Sequence, residues 1–332
     1  MKISKPDYYD LFRCAASACT DSCCKEWDVQ IDPKTAEKYR EFSGELGDRL
    51  REVMAVDEDG DTVMTIIDGR CPMWRQDGLC RIQAELGEEA LCQVCREFPR
   101  LRHDYGDFVE LGLELSCPVA AELILHKGGK PRITENLPGG EAPEYDEEVM
   151  EILLQTREEA LALLGDGIRS LGETLAIFLM FGYHVQALID GEPEETFDPE
   201  SALLQSREYA VEGEQKLLPS FYLELEILTE GWQSRLENWK DGQWKAEMRA
   251  FAAYCVERYW LQAVSDYDLI SRVKMIVGGC LLLKMLGGDP VETAQLYSKE
   301  IENNAENVDA ILDAAYTQKA FVDQYLLGLL LA

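Results

Sequence analysis

From residue 147 onward, apolar residues recur at intervals of three and four almost without a break. "EEVMEILLQTREEALALL", "SLGETLAIFLMFGYHVQALI", "WKAEMRAFAAYCVERYWLQAV", "DLISRVKMIVGGCLLLKML", "PVETAQLYSKEIE" and "VDAILDAAYTQKAFVDQYLLGLLL" each show this helical spacing. No repeat of fixed length runs through them, so they predict a helical bundle rather than a solenoid. The longest uncharged stretch, Thr174 to Ile189, is too short to span a bilayer and contains His184 and Gln186. It reads as a buried helix, not a membrane anchor.

The first 125 residues follow a different pattern. Asp32-Pro33 starts a helix, with a carboxylate at the N-cap and proline at the first helical position. That helix is predicted to run to about Val53, before the acidic loop "DEDGD". A short strand, "VMTII" (63–67), leads into "CPMWRQDGLC", where Asp77-Gly78 marks a tight turn between two extended arms. "IQAELGEEALCQVC" reads as one helix carrying Cys92 near its end. "DYGD" (104–107) is a second turn, and the alternating "FVELGLEL" strand after it delivers Cys117. Pro118 then opens a short apolar helix. Three prolines, two Gly-Gly pairs and an acidic end make residues 126–148 a linker. The expected fold is mainly α: a small cysteine-rich α+β metal-binding domain over residues 1–130, packed on a C-terminal helical bundle over 145–332.

Hydrophobic residues are 46% of the 332, enough for an ordinary core, so the cysteines are not substitutes for one. The N-terminal "MKISKPDYYD" has no apolar run and is not a secretory signal. These features place the chain in the cytoplasm, with no membrane partner. The net charge of −31 argues against nucleic acid, whose phosphates such a surface would repel. It suits a basic, lysine-bearing partner, or simply keeps the protein soluble.

Nine of the eleven cysteines fall between Cys14 and Cys117. Their spacing is C-x4-C-x3-C-C (Cys14, Cys19, Cys23, Cys24), then C-x8-C (Cys71, Cys80), then C-x2-C (Cys92, Cys95), then Cys117. In a reducing compartment such crowding indicates metal binding rather than disulfides. Thiolates select zinc or iron–sulfur clusters. A C-x2-C pair can grip one metal, and a hairpin would bring Cys71 and Cys80 together. The adjacent Cys23 and Cys24 close poorly on a single zinc and more easily reach two irons or two centres, which favours a cluster. Cys255 and Cys280 lie on apolar helix faces and are read as core.

"KPDYYDLFRC", "CTDSCCKEWDVQID", "CPMWRQDGLCRIQAELGEEALCQVCREFPR" and "LELSCP" resemble the signature segments of bacterial flagellin lysine N-methylases. That family lies within the zinc- or iron-chelating cysteine-cluster proteins. The resemblance covers roughly residues 1–125. It implies methyl transfer to lysine side chains of flagellin, or of another lysine-bearing protein, with S-adenosylmethionine as donor. It also implies an iron–sulfur centre, [4Fe-4S] in form with zinc as the alternative. Cys14, Cys19, Cys23, Cys24, Cys71, Cys80, Cys92, Cys95 and Cys117 would be its ligands. The competing expectation is a non-catalytic iron or zinc carrier, or an electron-transfer protein, with the helical half as a docking module.

Methylating lysine requires the neutral amine, and the ammonium loses its proton only near pH 10.4 in water. A carboxylate or phenolate must take that proton. Glu110, Glu114, Asp104, Tyr8 and Tyr9 are the candidates, and the sequence singles out none. A glycine-rich donor-binding loop is missing: Gly165-Asp166-Gly167 follows a helical run and lacks the third glycine. The C-x3-C-x2-C spacing of radical enzymes fails because position 26 is Glu26. His103 and His126 could add a nitrogen ligand. Arg96 and Arg100, in the basic run "CREFPRLRH", could anchor an anionic cofactor end or pair with Glu88 and Glu89.

Overall fold

The computed structural model describes every residue except 26–28, 58–59, 128–130, 137–143 and 194, and of residues 131–136 the backbone alone. Parts of the acidic loop and of the glycine-rich linker therefore lie outside the described residues. Seven short strands and fifteen α-helices are described, so the fold is mainly α, as expected. The strands are β1 (Lys2–Pro6), β2 (Val29–Gln30), β3 (Met54–Val56), β4 (Thr62–Met64), β5 (Arg100–Asp104), β6 (Phe108–Leu113) and β7 (Pro131–Asn136). Helices α1 (Pro33–Glu41), α2 (Gly44–Val53), α3 (Arg81–Leu86), α4 (Gln93–Glu97) and α5 (Pro118–Lys127) accompany them. The remaining helices are α6 (Glu147–Gly165), α7 (Leu171–Ile189), α8 (Pro199–Tyr209), α9 (Leu217–Leu223), α10 (Glu230–Glu237), α11 (Ala246–Tyr259), α12 (Ile270–Leu286), α13 (Pro290–Tyr297), α14 (Ala305–Thr317) and α15 (Asp323–Leu331).

Local chemistry explains the boundaries. Asp32 caps α1 by accepting from the Thr35 N–H at 3.0 Å, with Pro33 at the first position. The helix expected to reach Val53 instead ends at Glu41, and Gly44, with φ +82°, starts α2. Gly87, with φ +87°, likewise breaks the single helix expected over residues 82–95. Ser170 and Glu173 form a reciprocal capping box at the start of α7. The expected last helix is two, α14 and α15, separated by a 3₁₀ turn at Lys319–Phe321.

Two sheets form. One has the order β5-β6-β1-β7, with β1 parallel to β6 (Ile3 opposite Val109) and antiparallel to β7 (Lys5 opposite Arg132). Part of the expected linker is thus a strand. The other is the antiparallel β2-β4-β3, in which Val29 faces Met64.

Two main apolar cores follow from this wiring, beside a small cluster of Ile177, Ala202 and Leu203 between α7 and α8. The smaller gathers Val29, Ile31, Tyr39, Leu50, Met64, Met73, Ile82 and Leu91 with Cys71 and Cys92. The larger unites α6, α7 and α9 to α15 with Tyr8, Phe12, Leu113, Leu115 and the inner face of α5, which packs on α11 and α13. At its centre α12 is buried on every side from Ile270 to Met285. Gly279 permits this, since a Cβ there would lie 3.2 Å from both Phe251 and Tyr297. Helix α7 is the one described helix long and apolar enough to cross a membrane, and just over half of its apolar stretch is buried in the bundle, the mark of a core helix. Cys255 and Cys280 are buried there too, as expected.

Candidate functional site

Backbone contacts stitch the cysteine segments together. The Cys71 N–H donates to the Cys24 carbonyl at 2.7 Å, and Lys25 pairs with Arg70 in an antiparallel bridge. The expected hairpin between Cys71 and Cys80 is present: Trp74 pairs with Cys80, and Gly78 closes the turn at φ +79°. Cys80 and Cys92 are the N-cap residues of α3 and α4. Cys92 thus opens a helix instead of ending one, because Gly87 has already stopped the preceding turn.

Six thiols gather on the smaller core. Cys23 and Cys24 have their sulfurs 4.0 Å apart. Burial pushes the Cys71 thiol up to about 11, with Cys80, Cys92 and Cys23 adding to it, and burial raises Cys80 beside Cys23 and Cys92. The Cys95 thiol hydrogen-bonds to Cys92 and lowers it, while Cys95 itself rises through the same bond and burial, with Cys24 and Cys23 contributing. Cys23 is raised first by its contact with Cys24 and then by burial. Cys14, Cys19 and Cys117 form a second, looser group: burial raises Cys19, near Cys14 and Cys23, and pushes Cys117 up to about 11 near Cys19 and Cys14. None of the eleven cysteines is in a disulfide. Among the described residues, no three of His, Cys, Asp and Glu are drawn together tightly enough to form a finished ion cage.

The donor set nonetheless suits a soft metal or cluster. Backbone N–H groups oppose the effect of burial at several sulfurs: Met73 at Cys71, Ile82 and Gln83 at Cys80, and Val119 and Ala120 at Cys117. Such donors and the helix starts at Cys80 and Cys92 favour thiolates over thiols. The histidines lie elsewhere. His126 bonds Glu122 at 2.7 Å on the surface, and His103 is partly buried near Arg258 with its Nε2 unpartnered.

A cavity of about 970 Å³ opens between this cysteine core and the helical part. Ser22, Cys23 and Lys25 line one side and Lys299, Glu300 and Asn303 the other. Lys299 and Glu300 sit on a π-helical turn, Ser298–Glu302, a feature frequent at functional sites. Asp21 ties the two sides together, accepting from Lys299 at 2.6 Å, Lys25 at 2.7 Å and Gln295 at 2.7 Å. Burial alone would raise its carboxyl, yet the two lysines hold it well below the usual carboxylate range. Arg40, Phe98, Arg100 and Glu114 also line the space, whereas Arg96 does not.

The candidate bases separate clearly. Glu110 is locked in a two-pronged ion pair with Arg157. Asp104 is at the surface, bound by Gly106 and Arg102. Burial raises Tyr8 and Tyr9, and neither lines the cavity. Of the five, Glu114 alone does.

Sequence comparison supplies the decisive relation. Over 136 residues, or 37% of its length, the chain is 32% identical to the flagellar biosynthetic protein FliU of Salmonella muenchen, covering 77% of that protein. The chain belongs to the flagellin lysine N-methylase family. Members named lysine-N-methylase, from Salmonella typhimurium and Salmonella choleraesuis, are also 32% identical over 136 residues, and there the match spans 32% of each relative. More than half of this chain lies outside the shared stretch. No protein-family model matches the chain, and no solved structure does.

Proposed function

We propose that the protein methylates lysine side chains of flagellin or a similar flagellar protein, with S-adenosylmethionine as donor. The observation that carries this reading is the cavity of about 970 Å³, walled by Cys23 and flanked by carboxylates and guanidinium groups, in a chain of this family. Its volume is at the upper end for small-molecule sites, leaving room for a donor beside a lysine side chain. Arg100 and Arg40 suit the donor's carboxylate, Phe98 offers a face for its adenine, and Asp32 and Asp61 offer acceptors for ribose hydroxyls. The acidic surface favours a lysine-bearing partner.

Cys23, Cys24, Cys71, Cys80, Cys92 and Cys95 would hold an iron–sulfur cluster, with Cys14, Cys19 and Cys117 as the remaining ligands or a second centre. A bound cluster supplies one-electron transfers and clamps the short loops together. A reducing cytoplasm keeps these thiols available. The test is anaerobic purification with iron, sulfide and zinc assays, then incubation with methyl-labelled S-adenosylmethionine and flagellin. Label on flagellin lysines is the expected result. Bound iron without label would point instead to an electron-transfer or metal-carrying protein.

A further inference from the structure

One carboxylate in the cavity stands apart from the rest. Asp32 accepts from the N–H groups of Thr35 and Gln93, Asp61 from Gln30, and Glu97 from Gln93. Glu226 accepts from Asn304, and Glu300 from Thr229 and the Leu228 N–H. Glu114 forms no ion pair with any described lysine or arginine. It follows directly on β6, fixed by its own N–H to the Pro99 carbonyl at 2.9 Å. Among the described residues, the Ser116 hydroxyl, which has no other partner, is the side-chain donor that eases its charge. Arg258, the cation whose charge acts on Glu114, is already bound to Glu302 at 3.4 Å and to the Tyr254 hydroxyl at 2.6 Å. Glu302 in turn accepts from Tyr259 and Tyr254.

A partly buried carboxylate facing an open cavity without its own cation is a receptor for one from outside. We infer that Glu114 receives a primary ammonium group in this cavity and takes its proton. The inference rests on the reading of this cavity as the methylation site and assigns it the residue that lysine chemistry requires. Burial raises the Glu114 carboxyl, opposed by Arg258, which brings its proton affinity closer to that of an amine. Once the proton has moved to Glu114, the lysine nitrogen holds a free lone pair. That pair forms the new nitrogen–carbon bond to the methyl group of a sulfonium donor. The carbon–sulfur bond breaks with its electrons passing to sulfur, leaving a neutral thioether and a methylated ammonium. The proton on Glu114 then leaves to solvent through the mouth of the cavity.

Binding tests this independently of turnover. The full chain, purified anaerobically, is titrated by calorimetry with Nα-acetyl-lysine amide and with the uncharged Nα-acetyl-norleucine amide. The parent binds the lysine compound in preference. Glu114→Gln, with an unchanged melting temperature, weakens it by at least about tenfold, the scale of one hydrogen-bonded charge. Glu114→Asp keeps part of the affinity. In the methylation assay, the residual rate of Glu114→Gln climbs about tenfold per pH unit toward the lysine value near 10.4, while the parent changes less. Equal affinity of parent and Glu114→Gln for the lysine compound, or equal affinity of the parent for the norleucine compound, overturns the inference. If the parent binds lysine through Glu114 yet transfers no label, the methylase reading falls and the ammonium site stands.

Discussion

A buried ion pair spans the junction between the four-stranded sheet and the helical bundle. Arg157 on α6 places Nη1 and Nη2 each 2.8 Å from an oxygen of Glu110 on β6, and the two side chains are only 5% and 11% exposed. At 2.8 Å and an effective dielectric of about 20, two unit charges attract by roughly 6 kcal/mol, before the cost of desolvating both. Arg157→Met keeps most of the apolar stem but removes the charge. Glu110 is then left buried without a cation, near Glu257, whose carboxyl its charge helps to raise. The expected loss is about 3–5 kcal/mol. At roughly 2–4 °C per kcal/mol, the melting temperature should fall by roughly 6–20 °C. Urea titration followed by circular dichroism measures the loss directly. Adding Glu110→Leu should restore much of it, because two apolar groups need no partner. A loss below about 1 kcal/mol for Arg157→Met, or a double variant less stable than the single one, would refute this account.

Two further outcomes follow from the carboxyl groups of Glu257 and Asp21. Burial pushes the Glu257 carboxyl from 4.5 up to about 8, so the folded chain keeps a proton that the unfolded chain has lost. Its contribution to stability is complete below about pH 4.5 and fades as pH rises toward 8. Glu257→Gln should therefore match the parent in melting temperature near pH 5 and exceed it above pH 8; equal melting curves at both values would discard this. Asp21→Asn weakens the contacts to Lys299 and Lys25 and should cost about 1–3 kcal/mol at neutral pH. Because the Asp21 carboxyl is depressed, the parent's advantage is present above 3.8 and shrinks as pH falls further, which paired urea titrations would show.

What the sequence revealed was mostly local. Asp32-Pro33 and the Gly78 turn depend on neighbours within four residues, and the fold uses both. The long helical stretches were equally legible because their 3.6-residue period is set by burial. The cysteine spacing marked nine thiols as one set, and the separation of Cys14, Cys19 and Cys117 from the other six comes from long-range wiring. β1 carried no signal: "KISKP" does not alternate, and its partner β6 lies about 100 residues away. Glu114 was one of five equal candidates. Only the cavity sets it apart, and that cavity needs Cys23 and Lys299 brought together from 276 positions apart in the chain.

The crowding of Cys14 to Cys24 now has a physical account. Four thiols within eleven residues add little loop-closure entropy, and the carbonyl of Cys24 is already bound to the Cys71 N–H. A metal gripped by Cys23 and Cys24 together with Cys71, Cys80, Cys92 and Cys95 would join three loops on a core too small to be stable by apolar burial alone. Tyr8, Phe12 and the stretch from Leu113 to Leu125 belong to the larger core and do not depend on that grip. Cys23→Ser should therefore release metal and open residues 29–95 to protease while the helical part and its sheet remain resistant. Fragment masses from limited proteolysis, read beside the metal content, decide the matter. Unchanged metal and an unchanged cleavage pattern would remove the adjacent pair from the centre and leave Cys71, Cys80, Cys92 and Cys95 as its ligands.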